Sequence, residues 1–92
     1  MGTGDDHDWT DKRKLGNRAR RIEGQAAAVA RMLDEGRSCR EVLQQLAAFL
    51  SAGQELAVLV VEDHVLARSR AGADADALSA ELASHLRRVL KR

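Results

Sequence analysis

The chain has no proline, and its apolar residues continue without a turn signal from residue 39 to about residue 69. A helix over this stretch would be roughly 45 Å long, at 1.5 Å per residue. The β-branched run at 58–61 would favour a strand in isolation, but the sequence offers no second strand to pair with it. We therefore predict one long helix, which needs a partner along its length.

Two shorter helices are predicted on either side of this long one. The first runs from Thr10 to Glu35 and ends at Gly36. Ser38, with Glu41 three residues later, has the spacing of a capping box and starts the long helix near Cys39. After a turn at 70–73, a third, amphipathic helix follows from the spacing of Leu78, Leu82, Leu86, Val89 and Leu90. The predicted fold class is all-α, with a three-helix subunit and no helix-turn-helix.

The chain has 92 residues, of which 2% are aromatic, so it has room for one small domain with few large core side chains. We expect a mobile acidic tail at 1–9, a single helical domain at 10–92, and oligomerisation. A single cysteine excludes an intrachain disulfide, and there is no uninterrupted apolar run of 18 residues. These features predict a cytoplasmic protein without a membrane partner.

The net charge of +1 conceals a strong segregation of charge along the chain. Four acidic residues open the sequence: Asp5, Asp6, Asp8 and Asp11. Basic residues follow them directly and also close the chain: Lys12, Arg13, Lys14, Arg18, Arg20 and Arg21, then Arg87, Arg88, Lys91 and Arg92. Either basic cluster can bind an anionic surface. The simpler interpretation is that these side chains are only exposed to solvent.

Cys39 and His64 are the residues best suited to chemistry, but they are separated by ~37 Å along one straight helix. If two copies of the long helix pack antiparallel, Cys39 of one subunit lies beside His64 of the other. The crossing then falls at residues 51–53, where small side chains allow close approach and where Gly53 otherwise costs about 1 kcal/mol relative to alanine. Two-fold symmetry predicts two equivalent sites.

Cys39 at a helix N-terminus favours a thiolate, which suits a soft metal or an electrophile. The alternative is that Cys39 is a small residue without a functional role. His64 alone would be an ordinary surface or core histidine, and the register with Cys39 is what makes it a candidate ligand. His85 is interpreted as a surface residue.

The string at 18–25 (RARRIEGQ), Cys39, the segment at 42–48 (VLQQLAA) and the segment at 61–64 (VEDH) together resemble the copper-sensing and formaldehyde-responsive repressor family (CsoR/FrmR). The resemblance covers about residues 12–91. It implies a dimer built as a four-helix bundle, usually assembled into a homotetramer. It also implies repression of transcription by operator binding, with release when an inducer occupies the inter-subunit Cys/His site.

Arg68 departs from that family where copper-sensing members carry a second cysteine, so copper(I) is disfavoured and persulfide sensing, which needs two cysteines, is excluded. Two modes of inducer sensing stay open. In one, His7 joins Cys39 and His64 around cobalt, nickel or zinc; in the other, formaldehyde links Cys39 to an N-terminal amine, here from Gly2. We place Arg68 and Glu81 next to the site, as residues that support the ligands. If the inducer is an electrophile, no cofactor is expected.

A second departure is Leu50, where related members often carry arginine that contacts DNA. The remaining candidates for phosphate contacts are Lys14, Arg18, Arg21, Arg87, Arg88 and Lys91.

These features predict a ligand-responsive, DNA-binding repressor and no enzyme. The alternative is a helical scaffold of the same fold that has lost inducer sensing. An enzyme with Cys39 as nucleophile ranks last, because no oxyanion or substrate-binding sequence accompanies it.

Overall fold

The computed structural model describes residues 9–90 and consists of three helices. α1 spans Lys12–Asp34, α2 spans Cys39–Arg70 and α3 spans Ala75–Leu90. The all-α prediction is confirmed, and the β-branched run at 58–61 lies inside α2, so neighbouring helical sequence outweighs its strand preference. The predicted tail falls outside the described residues except for Trp9, and the division at 9/10 stays a prediction.

Side-chain caps fix where α1 and α2 begin. The Asp11 carboxylate accepts the backbone N–H of Lys14 at 3.1 Å, so Asp11 rather than Thr10 is the N-cap of α1. At α2 the Ser38 hydroxyl accepts the N–H of Glu41 at 3.1 Å, and the Glu41 carboxylate accepts the N–H of Ser38 at 3.2 Å. Both halves of the predicted capping box are present.

Glycines end α1 and α2 in the same way. Gly36 and Gly72 have φ values of 70° and 90°, in the left-handed region that favours glycine. At each end the following residue donates its N–H to a carbonyl five residues earlier: Arg37 to Met32 at 2.9 Å, and Ala73 to Arg68 at 3.0 Å. This is the Schellman ending of a helix, and it provides hydrogen bonds to backbone carbonyls that would otherwise have no partner within the helix.

The chain divides into two compact units. One comprises Asp11–Val61, that is, α1 and the first two thirds of α2. The other comprises Glu62–Arg92 together with the residues up to Thr10. Among the described residues, Val42 in the first unit is the one buried hydrophobic side chain, and Asp63 in the second is the one buried charged side chain.

Large apolar side chains on all three helices are exposed in the single chain. Leu50 is 61% exposed, and Leu43, seven residues earlier on the same face of α2, is 57% exposed. α2 is also, within residues 9–90, the one helix long and apolar enough to cross a membrane by length and composition. The core helix of a soluble protein meets those criteria equally, so this finding carries little weight on its own.

Candidate functional site

His64, Glu81 and His85 come together where α3 folds back beside the last turns of α2. The Asp74 carboxylate accepts the N–H of Ala77 at 2.7 Å and so starts α3 after the Gly72 turn. Glu81 and His85 are four residues apart on α3 and therefore share one face of that helix. This face is the one that contacts His64.

The three side chains contact one another in a partly buried cluster. The Nε2 atom of His64 is 3.0 Å from Oε1 of Glu81. The imidazole rings of His64 and His85 lie edge to face, with centroids 5.6 Å apart and planes inclined by 74°. The His64 side chain is 14% exposed, so protein covers most of it and its ring orientation is restricted.

Arg68 contacts the same carboxylate. Its Nε donates to Oε1 of Glu81 at 3.0 Å, so one carboxylate oxygen faces both the imidazole of His64 and the guanidinium of Arg68. The hydrogen bond from His64, followed by the hydrogen bond and charge of Arg68, lowers the pKa of Glu81 below its usual value. Glu81 is therefore ionised at neutral pH, and an ionised carboxylate only accepts hydrogen bonds. The Nε2 atom of His64 must then carry the ring hydrogen.

The donor atoms of His64, Glu81 and His85 all lie within 4.8 Å of one another. Two imidazole nitrogens and a carboxylate oxygen form a ligand set that suits zinc, cobalt or nickel. The donor set is compatible with a borderline divalent ion.

Glu81 contacts His64, and Arg68 pairs with Glu81; the role of these two residues in supporting an inter-subunit site stays a prediction. His85, interpreted as a surface residue, is indeed exposed, but its ring packs against His64. The signal for His85 in the sequence is its four-residue spacing from Glu81. That spacing could not be used without knowing which face of α3 contacts α2.

Cys39 is the first residue of α2 and is exposed. Its pairing with His64 of a second subunit stays a prediction. His7, the third predicted ligand, lies outside the described residues.

Thr10 is anchored to the residue before His64, a contact that the sequence did not indicate. Asp63 is 7% exposed, and its two carboxylate oxygens accept the backbone N–H of Thr10 at 2.9 Å and the Thr10 hydroxyl at 2.6 Å. These bonds join positions 53 residues apart in sequence and hold Thr10 beside the turn of α2 that carries His64.

The basic residues predicted on α1 share one open hollow in the first unit. Lys14, Arg18 and Arg21 line it, together with Asp11, Arg13 and Asn17. Arg18 also pairs with Glu55 of α2, at 3.2 Å between Nη1 and Oε1. Arg87 and Arg88 are exposed in the last turns of α3, and Lys91 lies outside the described residues.

A second hollow lies between α1 and the small-residue segment of α2. It is lined by Arg18, Arg21, Ile22, Gln25, Ala48, Ser51, Ala52 and Glu55. The Oε1 atom of Gln25 is buried and makes no hydrogen bond within the described part of the chain. A Cβ atom added to nearby Gly53 would meet nothing within 4 Å, so no contact within residues 9–90 explains that glycine.

Comparison with known proteins gives a consistent result. The family described as "Metal-sensitive transcriptional repressor" matches residues 11–92. The transcriptional repressor RcnR of Escherichia coli (strain K12) is 44% identical over 59 residues, which cover 64% of this chain and 66% of that protein. A protein from the bioA 5′ region of Serratia marcescens is 48% identical over 59 residues, which cover 64% of this chain and 65% of that protein. The chain thus spans just under two thirds of the length of these relatives. No solved structure matches it.

Proposed function

We propose that this chain, which belongs to the family of metal-sensitive transcriptional repressors, binds operator DNA as a homo-oligomer and releases it when a metal ion binds. The family is one of repressors and not of enzymes. A repressor acts where the chromosome is, so we place the protein in the cytoplasm. The observation that carries the proposal is that the family match extends from the N-cap of α1 through α3.

The basic face of α1 supports the DNA-binding part of the proposal. Lys14, Arg18 and Arg21 line one open hollow, and no aromatic side chain accompanies them to stack on bases. Such a surface suits phosphate contacts, whose affinity falls steeply with salt. The ion pair of Arg18 with Glu55 is exposed, so it contributes little stability and Arg18 is readily transferred to a phosphate. Arg87, Arg88 and Lys91 are proposed as further contacts.

We infer that the inducer site contains Cys39 of one subunit and His64 of another, with His7 as a third ligand. The exposure of Cys39 as the first residue of a 32-residue helix supports this role, since its sulfur atom is accessible to a ligand from outside the subunit. Cobalt, nickel or zinc fits this set better than copper(I), because a guanidinium at position 68 supplies no soft ligand. Arg68 and Glu81 are proposed to support His64 from its own subunit.

Operator binding and inducer release are tested with a DNA duplex of operator length, labelled for fluorescence anisotropy, at two salt concentrations. We expect binding that weakens strongly with salt and is lost on adding cobalt, nickel or zinc. Absence of binding at low salt would leave the scaffold function instead. If formaldehyde releases the duplex and no metal does, the inducer is an electrophile.

The sensing site is tested with Cys39→Ala in the same assay. This variant should bind the duplex as the parent does but should no longer release it on metal addition. Gln44→Ala, at an exposed position of the same helix, is the matched control and should respond normally. Unchanged release by Cys39→Ala for every inducer would show that the site lies elsewhere.

A further inference from the structure

We propose that His64, Glu81 and His85 form a second site within one subunit for a borderline divalent cation such as Zn²⁺, Co²⁺ or Ni²⁺. This inference rests on the proposed function only in sharing His64 with the inter-subunit site. It does not require Cys39, a second subunit or DNA.

The geometry of the donors carries the proposal. Ligand atoms around a tetrahedral ion with bonds of about 2.0–2.1 Å lie roughly 3.3 Å apart. His64 Nε2 and Glu81 Oε1 are already 3.0 Å apart, and all three donor groups lie within 4.8 Å of one another. Small side-chain rotations of Glu81 and His85 are therefore enough to converge the donors, and three protein ligands leave a position for water.

The two helices bring the donors close together before any ion binds. His64 is largely covered on α2, and the four-residue spacing on α3 directs Glu81 and His85 to the same side. A site whose ligands are held in place loses little conformational entropy on binding. When an ion binds, the hydrogen at His64 Nε2 must move to Nδ1 or to solvent, because a ligating nitrogen needs its lone pair.

Arg68 competes with the ion for the carboxylate of Glu81. Its guanidinium occupies Oε1 of Glu81 at 3.0 Å and places a positive charge next to the incoming cation. Binding therefore requires Glu81 to release Arg68 or to present its other oxygen. This competition distinguishes the site from an ordinary surface cluster, because removing Arg68 should strengthen binding rather than weaken it. An ion here also breaks the hydrogen bond between His64 and Glu81 by which Glu81 is proposed to support the inter-subunit site.

The test is a Co²⁺ titration of the full chain carrying Cys39→Ser. Binding is monitored by visible absorbance and by calorimetry. This variant should still bind Co²⁺, with ligand-field bands but no thiolate charge-transfer band. Adding His85→Ala should weaken binding by about 10- to 100-fold. Adding Arg68→Leu instead should strengthen it, on the order of tenfold, since it removes one neighbouring positive charge without adding a ligand. Circular dichroism checks that each variant keeps its helices.

Ser79→Ala, at an exposed position of α3, is the matched control and should leave the Co²⁺ affinity unchanged. The proposal is overturned if the Cys39→Ser chain binds no Co²⁺, or if His85→Ala binds it as tightly as its parent. Duplex binding of the unaltered chain without metal is measured separately. If that binding fails, the repressor function fails while the Co²⁺ result stands by itself.

Discussion

Arg68 pairs with the same carboxylate that contacts His64. It lies one turn after His64 on α2, and its guanidinium donates a hydrogen bond to Glu81. The carboxylate is thereby ionised and shared between a cation and an imidazole. The sequence predicts that Arg68 is adjacent to His64, because four-residue spacing on a helix is local. It does not predict Glu81 as the partner, because that contact depends on the turn before α3.

The Glu41 side chain gives a prediction about acid stability. Hydrogen bonds from Arg37 and from Ser38 lower its pKa from 4.5 to about 2. A carboxyl group whose pKa is lower in the folded state stabilises that state above its unfolded pKa, and the contribution disappears as the pH falls. The stability of the chain should therefore decrease as the pH falls from 4.5 towards 2.

Glu41→Gln should flatten this part of the pH profile, measured by urea unfolding at several pH values. Glu23→Gln, at an exposed position of α1, is the control and should keep the slope of the parent. An unchanged slope in Glu41→Gln would mean that the capping box does not cause the acid sensitivity.

At the scale of elements, the helices themselves were predictable and their contacts were not. Capping residues, glycines and apolar spacing are local signals, and they located both ends of α1 and α2 to within two residues and placed α3 after the turn at 70–73. The contact of Thr10 with Asp63 spans 53 residues, and no local pattern encodes it. The position of His85 against His64 escaped prediction for the same reason.

The Thr10 contact predicts a measurable stabilisation by the segment that precedes α1. Thr10→Val keeps the side-chain shape but removes the hydroxyl that donates to Asp63 at 2.6 Å. A hydrogen bond to a charged, buried acceptor contributes about 1.5–3 kcal/mol, so the free energy of unfolding should fall by that order. Thr10→Ser retains the hydroxyl and should lose much less. Chemical denaturation of both variants measures the difference, and equal losses would assign the effect to packing.

Gly53 gives a prediction for α2 as an element. An added Cβ meets no atom within 4 Å in the described part of one subunit, so Gly53→Ala should favour the helix by about 1 kcal/mol. If two copies of α2 cross at 51–53, the same methyl group lies in the crossing and weakens association. Analytical ultracentrifugation should then show a higher dissociation constant. Gly24→Ala, at an exposed and equally open glycine of α1, should leave association unchanged. Unaltered association of Gly53→Ala would place the crossing elsewhere.

For the whole molecule, the small amount of buried apolar surface is the dominant fact. Val42 is the one buried hydrophobic residue in the described part of the chain, and Leu43 and Leu50 on α2 are more than half exposed. A single chain with so small a core is marginally stable, and burying these side chains against another copy is the physical reason to expect assembly. The stability should therefore increase with protein concentration.

Leu43→Lys tests this dependence, because it places a charge on the exposed apolar face of α2. We expect it to dissociate the oligomer and to lower the melting temperature at any given concentration. Gln44→Lys adds the same charge at an exposed polar position of α2 and should keep the assembly intact. Light scattering coupled to size-exclusion chromatography, with melting curves over a hundredfold range of concentration, gives both readouts. If Leu43→Lys retains the mass and concentration dependence of the parent, the exposed face of α2 is not the surface through which the subunits associate.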